Sequence, residues 1–108
     1  MQTLEAIADP TRRRIVELLA QRERTTGEIV AEFDMSAPAI SQHLNVLRDA
    51  GLITTRAEGQ TRIQSLNGDG LDELADWLER MRSLWSRRLD ALERELRADD
   101  AKKKKPSK

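Results

Sequence analysis

The chain has 108 residues, which suits one compact domain, and it is 38% hydrophobic and 35% charged, with aromatics only 3%. It contains no cysteine, which excludes a disulfide scaffold, a thiolate metal site and a thiol redox switch. Net charge is zero, which argues mildly against nucleic-acid binding, and no apolar run approaches the roughly 20 residues of a membrane span.

Along the chain, Leu4 to Ala8 is a short apolar segment expected to form one or two helical turns. Asp9-Pro10 then reads as a helix start, with aspartate as N-cap and proline in the first turn. Ile15, Val16, Leu18 and Leu19 follow at helical spacing to about Ala20, with Arg12, Arg13 and Arg14 on or beside the opposite face. These arginines favour a solvated or salt-bridged face over a ligand contact. Thr25-Thr26-Gly27-Glu28 has the form of a capping box. Ile29, Val30 and Phe33 supply the apolar side of the short helix it opens.

Ser36 to Leu52 reads S-A-P-A-I-S-Q-H-L-N-V-L-R-D-A-G-L. Ser36 caps a second helix, and Pro38 is tolerated in its first turn, where its missing amide hydrogen has no intrahelical partner. Ile40, Leu44 and Leu47 form one face, and Gly51 suits a left-handed stop. The first two turns carry small and amide side chains, which suit a helix that enters a DNA major groove about 12 Å wide. From Leu52 to Leu66 the period changes to β-branched alternation around Glu58-Gly59, predicting a two-stranded hairpin. Asn67-Gly68-Asp69-Gly70 breaks the chain and opens a last helix over 69–98. There Leu71, Leu74, Leu78, Met81, Trp85, Leu89, Leu92 and Leu96 recur at steps of three and four. Such a stripe either packs on the chain's own core or forms a subunit interface, and its length favours the interface.

The expected fold is mainly α with a small β-hairpin: a winged helix-turn-helix over 1–98 with a long C-terminal dimerisation helix. Residues 99–108 read as a disordered lysine-rich tail. Charge is uneven: residues 1–67 hold eight Lys/Arg and nine Asp/Glu, residues 68–100 six and ten, and residues 101–108 five lysines and no acid. Any DNA affinity must therefore come from locally placed arginines and the tail.

The segments I-A-D-P-T-R-R-R-I-V-E-L-L (7–19), S-A-P-A-I-S-Q-H-L-N-V-L-R-D-A-G-L-I (36–53) and R-A-E-G-Q-T-R (56–62) resemble the ArsR-type bacterial repressors. The tryptophan-bearing last helix looks like a subgroup of small autorepressors without an evident metal box. The resemblance implies a homodimer joined through the first and last helices, with Leu4, Ile7, Leu74, Leu78, Met81, Trp85, Leu89 and Leu92 at the interface. It implies a repressor on a palindromic double-stranded operator. Ser36, Ala37 and Pro38 would open the recognition helix, and Ser41, Gln42 and His43 would meet base edges or phosphates. Asn45 and Arg48 would contact backbone, and Arg56, Gln60 and Arg62 of the wing would meet phosphates or the minor groove. Arginine stands in many relatives where this chain has Gln60, so a weaker grip by the wing is implied. Ser36 also serves as a cap, and His43, beside an apolar face, has the alternative of a hydrogen bond within the fold.

Metal sensors occur in that family, but the segment that would carry their thiolates reads T-T-G-E-I-V-A-E-F. The last helix offers Asp72, Asp76 and Glu79 without a histidine. No metal and no cofactor is expected, an organic effector or partner protein is left open, and the location expected is cytoplasmic, with no membrane partner. An enzyme is disfavoured because no nucleophile-base pair, phosphate loop or metal set is legible. The competing class is a protein-interaction module on a winged-helix scaffold; the short polar readers Ser41, Gln42 and His43 argue against it.

Overall fold

The computed structural model describes residues 1–103. In chain order it contains α1 (Gln2–Ala8), α2 (Pro10–Gln21), β1 (Arg24–Thr25), α3 (Thr26–Ala31), α4 (Ala37–Asp49), β2 (Ile53–Glu58), β3 (Thr61–Leu66) and α5 (Gly68–Lys103). Two compact units divide it, Met1–Leu74 and the remainder from Ala75.

The helix starts are set by side chains that replace missing intrahelical partners. Asp9 Oδ2 accepts from the Arg12 amide at 3.0 Å and opens α2. The capping box of α3 is complete: Thr25 Oγ1 accepts from the Glu28 amide and Glu28 Oε1 from the Thr25 amide, both at 3.1 Å. Ser36 Oγ accepts from the Ala39 amide at 3.2 Å and opens α4. That helix ends at Gly51, whose φ of 78° satisfies the left-handed stop while the Leu52 amide bonds back to Leu47.

The expected hairpin forms from β2 and β3, turning at Gly59 with φ 62°. It belongs to a three-stranded antiparallel sheet of order β1-β3-β2, because Arg24 and Thr25 pair with Gln64 and Ile63. Two residues are too few to show a period, so this strand was not legible beforehand. Arg24 is buried, and its guanidinium bonds to the Leu18 carbonyl and to Gln21 Oε1, tying β1 to the end of α2.

The core of the first unit gathers Ala6, Ile15, Leu19, Ile29, Ile40, Leu44, Leu47, Leu52, Ile53 and Leu74. Leu74, expected at a subunit interface, is only 7% exposed here and is a core residue; the first turns of α5 need an apolar anchor within their own unit. Ile7 also packs partly against this core, whereas Leu4 is exposed.

In the second unit α5 continues as helix and carries Leu78, Met81, Leu84, Trp85, Leu89, Leu92 and Leu96 exposed. The helix runs to Lys103 instead of giving way to a tail at residue 99. Residues 98–103 are Ala, Asp and Lys without glycine or proline, and the first breaker in the sequence is Pro106. Residues 104–108 of the expected tail lie outside the described residues. Among the described residues, no helix is long and apolar enough to cross a membrane.

Candidate nucleic-acid interface

Burying Ile40, Leu44 and Leu47 turns the opposite face of α4 outward. Ser36, Ala37, Pro38, Ser41, Gln42 and Asn45 are exposed there, and Arg48 is half-buried. The pairing of β1 with β3 brings the start of α3 beside the wing. Thr25 of β1, Thr26 and Gly27 of α3, Ser41 of α4, and Gln60, Thr61 and Arg62 of the wing line one open concavity of about 550 Å³. A smaller hollow of about 70 Å³ shares Thr26, Ser41 and Arg62 with it and adds Leu44, Asn45, Arg48 and Gln64. Neither lining contains a carboxylate, and both contain Arg62. A chain of zero net charge thus has a groove whose only ionised lining groups are cationic, which favours an anion.

Two expected contacts lie elsewhere. Successive strand residues point to opposite faces, and the register pairs Thr55 with Gln64 and Ala57 with Arg62. Arg62 therefore shares the face of buried Gln64, and Arg56 lies on the other face. There Arg56 grips Glu23 through two bonds of 2.7 Å and also reaches Glu58 at 3.2 Å. Ser65 Oγ donates to the same Glu23 at 3.1 Å. The Arg56 guanidinium, with help from Ser65, holds the Glu23 carboxyl down at about 2. Arg56 is thus a latch between the wing and the segment before β1, rather than a free phosphate contact. The sequence shows two arginines six residues apart; only strand register separates their faces.

His43 also lies apart from the groove. Its Nδ1 lies 3.3 Å from Arg12 Nη1 and 3.9 Å from Asp9 Oδ2, and the ring is largely covered. Arginine has only donors, so in the contact with Arg12 the acceptor is His43 Nδ1. Arg12 also donates to the Ala6 carbonyl at 2.6 Å and the Glu5 carbonyl at 3.4 Å, so it closes the end of α1. His43 belongs to this junction of α1, α2 and α4, on the flank of α4 away from Ser41 and Asn45. The nearby Asp9 carboxyl is held below the ordinary aspartate value, chiefly by the hydrogen bond it accepts from the Arg12 amide. Arg14 pairs with Glu17 at 3.4 Å, in keeping with a solvated arginine face.

Thr26, Gly27 and Thr61 join the groove without having been singled out from sequence. The capping box located the first two on a helix start, but nothing in it pointed to the wing. Gln64 carried no clear signal, because Ile63 and Leu66 fall on opposite faces of β3 and leave its inward side undecided.

A short helix, a turn, a second helix with an exposed polar face and a hairpin beside it define a winged helix-turn-helix. The chain belongs to the arsR family of bacterial regulatory proteins, whose sequence model matches residues 9–55. It is 42% identical over 74 residues, 68% of this chain and 82% of the relative, to the transcriptional repressor SdpR of Bacillus subtilis. The fold superposes on the crystal structure of an ArsR family transcriptional regulator, RHA00566, with a TM-score of 0.74 and 30% identity, covering 79% of this chain and 93% of that one. It also matches the solution structure of a homodimeric winged helix-turn-helix DNA-binding domain, Mb0332 of Mycobacterium bovis, with a TM-score of 0.62 and 27% identity over 76% of each chain.

Proposed function

We propose that this chain is a homodimeric, sequence-specific DNA-binding repressor that acts in the cytoplasm by occluding a promoter at a palindromic operator, its own promoter included. The observation that carries this reading is the carboxylate-free groove formed where α4, the start of α3 and the wing meet. In it α4 enters the major groove. Ser41 and Gln42 meet base edges, glutamine being able to pair with adenine through both its amide groups. Ser36, Ala37 and Pro38 approach the backbone at the helix start, Asn45 and Arg48 follow along the same face, and Gln60 and Arg62 bring the wing to phosphates. Repression follows the name of the relative SdpR.

The second copy is supported by the exposed stripe of α5. Leu78, Met81, Trp85, Leu89 and Leu92 are spaced identically when read from either end about Trp85. Two antiparallel copies related by a two-fold axis through Trp85 set Leu78 against Leu92 and Met81 against Leu89. Leu78 is 58% and Trp85 57% exposed in the single chain, a large apolar surface that a second copy would cover. Leu4 of α1 adds a further exposed apolar side chain.

The test is fluorescence anisotropy at about 0.15 M salt with DNA from upstream of the chain's own gene and scrambled competitor, because affinity depends steeply on salt. Tight binding that survives competitor and saturates at one dimer per site is the expected result. Equal loss on both duplexes, together with failure to select any sequence from a random pool, would overturn the reading in favour of a protein-interaction module.

A further inference from the structure

A chain of hydrogen bonds runs from the middle of the sheet to the exposed face of α4. Gln64, 1% exposed, donates from Nε2 to Thr26 Oγ1 at 3.1 Å and accepts at Oε1 from Thr55 Oγ1 at 2.6 Å. Thr55 Oγ1 in turn accepts from Arg48 Nε at 2.9 Å, and Arg48 Nη1 donates to Asn45 Oδ1 at 2.8 Å.

The directions of these bonds follow from one residue. A guanidinium has only donors. Arg48 must therefore meet a lone pair on Thr55 and the carbonyl oxygen of Asn45. The Thr55 hydroxyl, having accepted from Arg48, points its own proton at Gln64 Oε1. That sets the Gln64 carboxamide with its NH2 toward Thr26. At the other end, the Asn45 oxygen is held inward by Arg48. Its Nδ2 group is left as the free one, on an exposed residue that lines the smaller hollow with Ser41 and Arg62.

We infer that Gln64 and Thr55 are positioning residues for DNA recognition: through Arg48 they make Asn45 a hydrogen-bond donor toward the duplex. The group Asn45 meets is an acceptor, either a phosphate oxygen or an acceptor atom on a base edge. The two-point pairing of asparagine with adenine, which needs the amide oxygen as well as the nitrogen, is disfavoured while Arg48 holds that oxygen. The inference rests on the DNA-binding reading above.

The test uses the full chain and a duplex that the unchanged protein selects from a random-sequence pool, with a scrambled duplex beside it. Thr55→Val, Asn45→Ala and the double variant are compared by anisotropy, and circular dichroism verifies that each is folded. Each single change is expected to weaken the selected duplex about fivefold, the worth of one net hydrogen bond. The double variant is expected to be no more than about twofold worse than the weaker single one, since both remove the same contact. Thr55→Ser, which keeps the hydroxyl, is expected to restore binding. An equal loss on scrambled DNA assigns the acceptor to phosphate, and a loss confined to the selected duplex assigns it to a base edge. Losses that multiply to about 25-fold in the double variant, as independent sites give, would overturn the relay while leaving DNA binding intact. Failure of the unchanged protein to select any duplex would overturn both.

Discussion

Gly70 sits where a side chain has no room: a Cβ built there would lie 2.3 Å from the Gly51 carbonyl oxygen and 2.7 Å from its carbon. Both neighbours are backbone, so the turn that ends α4 would have to move away from the first turn of α5. Gly70→Ala is expected to cost about 1–3 kcal/mol, in the range of overpacked cores. Each kcal/mol lowers the melting temperature by about 4–8 °C in a domain of this size. Gly68→Ala, where nothing lies within 4 Å, is the control and should melt as the unchanged chain does or slightly higher. Equal melting of the two variants would rule out the close approach. Glu23 supplies a second residue-scale prediction. Its carboxyl lies at about 2 when folded, against 4.5 as the ordinary value, mainly because Arg56 bonds to it. The stabilisation from a lowered carboxyl is complete above its unfolded value and is lost as pH falls through its folded one. Acid titration of stability between about pH 4.5 and 2 should therefore be shallower in Glu23→Gln. Because the pair is exposed, the difference is small and shrinks with added salt.

At the scale of elements, the wing presents two arginines with different duties. Arg62 faces the groove beside Ser41, whereas Arg56 is spent on Glu23 on the opposite face of the sheet. Arg62→Ala is expected to weaken binding to all sequences alike and to lower the slope of log Kd against log salt by about 1, the signature of one lost phosphate contact. Arg56→Ala should leave that slope unchanged, since no counterion is displaced by a side chain already paired. Equal slopes for the two variants would return Arg56 to the DNA-facing side. This pair also marks a limit of sequence reading. Helix starts were legible from Asp9, Thr25 and Ser36, and the stop from Gly51, because capping is a local contest between side chain and backbone. The face of a wing residue depends on strand register, which pairs residues far apart in the chain. The same reason hid β1, whose two residues pair with β3 some forty positions later.

For the whole molecule, the decisive surface is the apolar stripe of α5. Trp85→Glu with Leu78→Glu should give a monomer in sedimentation, and that monomer should bind an operator weakly because one half-site must act alone. An intact dimer would move the interface off this stripe. Periodicity alone located the stripe, but it could not say where the part packed on the chain's own core ends and the exposed part begins. Leu74 and Leu78 are one turn apart and alike in chemistry; one is buried within its own unit and the other is exposed.

The amino-acid sequence alone determined the starts of α2, α3 and α4, the stop of α4 at Gly51, the outward placing of Ser41 and Gln42, the hairpin and the amphipathic character of the last helix. Each depends on interactions within a turn or two, or on a period that repeats along one element. Only the tertiary structure decided which polar groups remain free to meet DNA. It joined α3 to the wing, turned His43 toward Arg12, locked Arg56 to Glu23 and ran a hydrogen-bonded chain from buried Gln64 to exposed Asn45. A hydrogen-bonding side chain is satisfied by whichever partner lies within about 3 Å, and proximity between residues distant in sequence is a property of the packed fold.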